Sequence, residues 1–135
     1  MLPLTSRDFQ RAAGQRLIAA RELLKLKLNL DAQYLGGYAV ECSLKALILD
    51  KTPPDDQPNT LKRITGGSKM HQPEVLLGEL RRLGVSLPLE IAKRMRRFDW
   101  TTDLRYETGR RDTGETMALL KTAEAVYDWV EDQLR

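Results

Sequence analysis

The chain holds one imidazole, His71, and one thiol, Cys42. Imidazole is the side chain whose ordinary pKa lets it give and take protons near neutral pH, so acid–base chemistry of that kind has a single resident here. Glu41 and Lys45 stand four residues apart, the spacing at which a carboxylate and an ammonium meet on one helix face. Between positions 81 and 111 lie Arg81, Arg82, Lys93, Arg94, Arg96, Arg97, Arg105, Arg110 and Arg111, against Glu90, Asp99, Asp103 and Glu107. That stretch carries +5 within a chain of formal charge +3. All but one of its bases are guanidinium groups, whose flat, permanently charged fork suits phosphate or carboxylate contacts. Arg96, Arg97, Arg105, Tyr106, Arg110 and Arg111 are therefore the candidate ligand-binding residues. The alternative is a solvated basic face balanced by the final 24 residues, which carry −4. Gly66-Gly67-Ser68-Lys69 lacks both the full phosphate-loop spacing and a preceding strand, so it is set aside.

Composition narrows the chemistry further. One Cys and one His exclude a disulfide framework within the chain, a zinc site of several Cys or His ligands, and reactions needing two histidines in one subunit. No metal site and no cofactor site is expected. The lone thiol, the absence of a basic-then-apolar opening and the lack of an 18-residue apolar window point to a cytoplasmic chain with no membrane contact. At 135 residues, 41% of them hydrophobic, the expectation is one domain over 1–135 with one packed core.

The elements that must position these side chains read as helices throughout. A first helix from about Arg7 to Leu28 follows Thr5 or Ser6 as N-cap and buries Phe9, Ala13, Leu17, Ala20 and Leu24. A second, from an Asp31 cap to about Asp50, is apolar on nearly every face and belongs in the middle of a bundle. Gly36 and Gly37 within it imply the close approach of another helix, or else a local kink. Residues 51–70, with three of the six prolines, read as a mobile loop with at most one turn near Leu61 to Ile64. A third helix spans about Pro73 to Leu83, stopped by Gly84. A fourth, capped by Ser86, spans about Pro88 to Trp100 with Ile91, Ala92, Met95 and Phe98 as its stripe. A fifth starts near Thr113 or Gly114 and carries Met117, Leu120, Ala123, Tyr127, Val130 and Leu134. The fold class is all-α, an up-and-down bundle of about five helices.

Three local signals stand in order along this bundle. They are Tyr38-Ala39-Val40-Glu41-Cys42-Ser43-Leu44-Lys45-Ala46-Leu47, then Met70-His71-Gln72-Pro73-Glu74-Val75-Leu76-Leu77, then Asp103-Leu104-Arg105-Tyr106-Glu107. Together they resemble the HEPN family (higher eukaryotes and prokaryotes nucleotide-binding), whose members share an ECxLKALxL helix, a His-led helix start and an RYP-like step before the last helix. The resemblance covers about Arg7 to Val130. It implies a helical bundle, commonly a homodimer. Many relatives are RNases, toxins of toxin–antitoxin pairs, or nucleotide-associated partners of a minimal nucleotidyltransferase. The nuclease branch carries an Arg followed four to six residues later by His. Arg105 fits the first position, but Arg110 and Arg111 occupy the stretch where the His would stand, and guanidinium is too weak an acid to replace it.

No catalytic residue is assigned, and the expected role is a non-catalytic subunit for nucleotide, RNA or a nucleotidyltransferase. The alternatives are an RNase with a rearranged dimer site (Arg105, Tyr106 and His71 from the other copy), and a regulatory dimer without nucleic acid. Glu41, Lys45 and His71 are expected to form a structural network, with Glu41 reaching Arg105 and the His71 ring bonding a carbonyl. Arg105 and Tyr106 either lock the last loop to the core or grip phosphate and base. Trp100 and Cys42 read as packing residues.

Overall fold

A computed structural model of the chain describes residues 2–134, the side chain of Ser68 excepted. Thr5 caps α1 (Ser6–Lys25): its hydroxyl accepts the Asp8 N–H at 3.1 Å, and the Asp8 carboxylate accepts the Thr5 N–H at 3.1 Å. This reciprocal box satisfies two amides that the helix itself leaves unpaired. Phe9, Ala13, Leu17 and Ala20 are buried, the period the sequence predicts. The helix stops at Lys25, short of the expected Leu28, because Lys27 turns left-handed at φ 58°. α2 (Asn29–Lys51) begins at once, with no side-chain cap. Asp31, expected as its cap, instead lies in its first turn, where a carboxylate offsets the helix dipole.

α2 runs through the middle of the bundle, largely buried and touching α1, α3 (Gln57–Gly66), α4 (Pro73–Arg82) and α6 (Thr113–Gln133). Val40, Leu44, Leu47 and Ile48 have no exposed surface. Its two adjacent glycines mark close approach, not a kink. A Cβ on Gly36 would lie 2.6 Å from Leu120 Cδ2, and one on Gly37 would fall within the Trp100 indole. Trp100 is held there by its Nε1–H, which donates to the Tyr34 carbonyl at 3.1 Å.

Buried polar groups on the three long helices find one another. Gln10 donates to the Tyr127 carbonyl at 3.1 Å and to Glu131 at 3.0 Å, while accepting from the Ser43 hydroxyl at 3.0 Å. Gln33 donates to the Thr116 hydroxyl at 2.9 Å, and Asn29 to the Arg111 carbonyl at 2.9 Å and the Thr113 hydroxyl at 3.0 Å. Sliding one helix past another would strand these groups without water, so the ladder fixes the register of α1, α2 and α6.

Six α-helices form the bundle rather than five, and no strand occurs among the described residues. The additional helix is α3, in the stretch expected to be a loop. Pro53 and Pro54 lead into a 3-10 turn (Pro54–Asp56), and Pro58 falls in the first turn of α3, where a missing N–H costs nothing. Gln57 donates to the Leu49 and Thr52 carbonyls, closing the end of α2, and Ile64 is wholly buried. A second 3-10 turn, Ser68–His71, leads into α4. Gly84, at φ 79°, ends the run after α4 as expected.

The fourth expected helix shrinks to α5 (Leu89–Met95), and Ser86 caps nothing. Chain leaving the helix at Arg96 is what lets Trp100 reach Gly37. A third 3-10 turn, Thr102–Tyr106, packs on α2 before α6 starts from an Asp112 cap. The buried stripe of α6 begins with Thr116 and Leu119 and leaves Met117 exposed, a shift from the predicted register. No helix among the described residues is long and apolar enough to cross a membrane.

The two classes of glycine predict opposite effects. Gly37→Ala should destabilise the fold by about 1–3 kcal/mol through overpacking against Trp100. Gly78→Ala, where a Cβ meets only the Arg81 guanidinium at 3.8 Å, should stabilise it by about 0.5–1 kcal/mol. Urea unfolding of the two variants measures both; equal shifts of the same sign would contradict the packing described.

Candidate functional site

On α2, residues Tyr34, Tyr38, Glu41 and Lys45 recur at helical spacing and so share a face. Glu41 is the pivot. Its side chain is 6% exposed, and Lys45, at 5%, donates to it at 2.9 Å. The third member is His71, from the 3-10 turn before α4, whose Nδ1 lies 3.2 Å from both carboxylate oxygens. An ionised carboxylate can only accept, so in this contact Nδ1 is the donor. The sequence brings Glu41, Lys45 and His71 together, but not as expected. The His71 ring bonds the Glu41 carboxylate instead of a carbonyl, and Arg105 takes no part. Burying an ion pair is costly unless its remaining valences are met, and His71 supplies the second donor that Glu41 needs.

Arg105 and Tyr106 lie on the 3-10 turn at the other end of this face. Arg105 is exposed and stacks over the Tyr106 ring with its carbon 4.9 Å from the centroid, and Tyr106 itself is 76% exposed. Leu104, between Asp103 and Arg105, is the residue that anchors this turn in the core. Inward of them Tyr34, Tyr38 and Trp100 form an aromatic cluster, with Tyr38 edge-on to Tyr34 (4.9 Å) and to Trp100 (5.4 Å). Burial first, then the hydroxyl contact with Tyr34, pushes the Tyr38 phenol up to about 12. Tyr38 opens the first of the three sequence signals without a role assigned to it, and Tyr34 lies outside all three. Their signal was the 34, 38, 41, 45 period, hidden in a helix that is apolar all round.

The remaining candidates do not converge. Arg96 lines a cleft between α4 and α5, and Arg97 lines a depression between α5 and α6. Arg110 and Arg111 border a third hollow beside the α1–α2 turn. Arg111 is further committed to Glu107 at 2.9 Å. No group of three or more His, Cys, Asp or Glu that could hold a metal occurs among the described residues.

Two expectations follow. Glu41→Gln leaves the Lys45 ammonium buried without its anion and should cost about 3–5 kcal/mol, whereas a Glu41→Leu/Lys45→Leu double variant should cost much less. Denaturant titration of the three proteins decides this, and equal losses in both variants would remove the ion pair from the account. Burial, with the Glu41 charge next, pushes the Cys42 thiol up to about 11. At pH 8 folded Cys42 should therefore react with an aromatic disulfide about a hundredfold more slowly than a free thiol, and at the ordinary rate once unfolded. A folded-state rate equal to the unfolded one would refute the burial.

Comparison with protein families matches residues 6–133 to the HEPN domain. Comparison with curated proteins and with solved structures gave no match. The match takes in all six helices, the Glu41–Lys45–His71 cluster and the Arg105–Tyr106 turn, and the chain belongs to the HEPN domain family.

Proposed function

We propose that this HEPN domain is a non-catalytic binding subunit whose basic flank holds single-stranded RNA, phosphates on its free arginines and a base on Tyr106. The observation that carries this reading is where the ion pairs go. The acidic α6 spends Glu131 on Arg7 at 2.7 Å and Glu124 on Arg21 at 2.6 Å, both on α1. Arg81, Arg94, Arg96, Arg97, Arg105 and Arg110 are all exposed and have no carboxylate partner among the described residues. A basic face that merely balanced the last helix would be paired with it. Unpaired guanidinium groups on one stretch of chain, beside an exposed aromatic ring, are instead the combination that single-stranded nucleic acid recognition uses.

The non-catalytic part rests on where the single imidazole stands: His71 lies 34 residues before Arg105, beside Glu41 at 3.2 Å, and no second imidazole exists to fill the position after Arg105. In this reading the chain works as a homodimer, since Arg96, Arg97 and Arg110 border separate hollows of one copy and a second copy multiplies the guanidinium face. A minimal nucleotidyltransferase, in a toxin–antitoxin type pair, is the proposed protein partner; family likeness alone supports it.

The test is fluorescence anisotropy with a labelled single-stranded RNA across a salt series. Binding at about 50 mM salt should weaken with a log–log slope that falls by about 1.4 in Arg96→Ala/Arg97→Ala, roughly 0.7 per lost phosphate contact. Tyr106→Ala should lose about 1–3 kcal/mol of affinity. Absence of binding at low salt would leave the basic flank merely solvated. Metal-independent RNA cleavage that disappears in Arg105→Ala would overturn the non-catalytic assignment, and a monomer by light scattering would overturn the dimer.

A further inference from the structure

α4 and α5 do not close on each other. α4 packs on α2 and α5 packs on α6, and between them remains a cleft of about 650 Å³. The cleft is open to solvent at its mouth, with polar residues at the rim and apolar ones along the walls. It also falls in the range of about 300–1,000 Å³ that small-ligand sites occupy. Its walls are mostly aliphatic: Leu77 and Leu80 from α4, Val85 from the connection, Met95 from α5, then Phe98. Leu80 is buried, whereas Leu77, Val85, Met95 and Phe98 keep part of their surface open.

The rim has a definite sign. Arg81 and Arg96 both line the cleft, both are exposed, and neither has a carboxylate partner among the described residues. One carboxylate, Glu74, also lines it. The neighbouring depression between α5 and α6 differs: there Lys93, Arg94, Arg97 and Lys121 face Glu90, Asp99 and Glu115, so both signs are well represented.

From the cleft's size, its aliphatic walls and its two free guanidinium groups, we infer that it binds a small amphipathic anion. The apolar body lies against Leu77, Leu80, Met95 and Phe98, and the anionic head meets Arg81 and Arg96. Met95 and Leu77, unbranched at Cβ, can adjust to the body's shape. Glu74 repels the head from its own side of the mouth and so sets its direction. A carboxylate on an acyl chain and a phosphate on a nucleoside share this chemistry.

The cleft shares Arg81 and Arg96 with the proposed RNA surface but has an apolar wall that RNA phosphates do not need, and it is tested with 8-anilinonaphthalene-1-sulfonate, an aromatic anion whose fluorescence rises in an apolar site. Titration of the full chain should give a saturable, blue-shifted signal at one site. Arg81→Glu/Arg96→Glu should weaken it at least about tenfold and reverse its salt dependence, because salt then screens a repulsion. Ala92→Trp, which fills the cleft from α5, should abolish the signal while RNA affinity is kept; thermal midpoints confirm that each variant is folded.

Competition then identifies the source. Displacement by decanoate about tenfold more tightly than by octanoate, the effect of two buried methylenes, assigns an acyl carboxylate. Displacement by AMP assigns a nucleotide phosphate, and either result upholds the site. A signal unchanged in both folded variants, or displaced by neither competitor, overturns it.

Discussion

Everything in this bundle is arranged around the enclosure of α2. A helix so largely surrounded has little solvent face on which to place a polar group, so most of its buried ones are answered by a neighbour, with Asn29 Oδ1 and Asp50 Oδ2 as the exceptions. Ser43 is answered by Gln10 of α1, Gln33 by Thr116 of α6, and the charge of Glu41 by Lys45 and His71. Those answers fix the relative heights of the long helices and pin the turn before α4. Apolar area supplies most of the driving force, but area alone would tolerate several registers; the polar partners tolerate one.

The same enclosure separates two electrostatic regions. α1 and α6 lie together along α2, and their opposite charges neutralise each other across the seam through Arg7–Glu131 and Arg21–Glu124. Exposed pairs of this sort add little stability each. Their larger effect is to spend part of the acidic helix on α1, leaving Arg81, Arg94, Arg96, Arg97, Arg105 and Arg110 without a carboxylate partner among the described residues. A nearly balanced total charge thus conceals a stretch, residues 81–111, that carries +5.

The long helices were legible because their signals are local: the Thr5 box, the period of α1, the all-round apolarity of α2, and the paired glycines. α3 was not, because three prolines within six residues read as a break. Only the structure places Pro58 where the helix has no use for an N–H. The register of α6 was misread at its start, where Met117 and Leu119 are equally apolar and the choice depends on what Gly36 leaves room for.

At the site, Glu41 and Lys45 were readable as an i,i+4 pair. The identity of the third partner was not, since His71 and Arg105 are both distant in sequence and only the path of the chain decides between them. The five candidate arginines are close in sequence, yet Arg96, Arg97 and the Arg110–Arg111 pair border separate hollows because α5 ends early.

Trp100 joins these two halves of the molecule. Its indole closes over Gly37 on the buried helix, while its own backbone belongs to the stretch that carries Arg96, Arg97 and Arg105. The ring therefore acts as a latch between core and basic flank, and it is also a fluorophore. Any event that lifts the flank from α2 must break the bond to the Tyr34 carbonyl and wet the indole, so the chain contains its own optical gauge of whether that surface is seated.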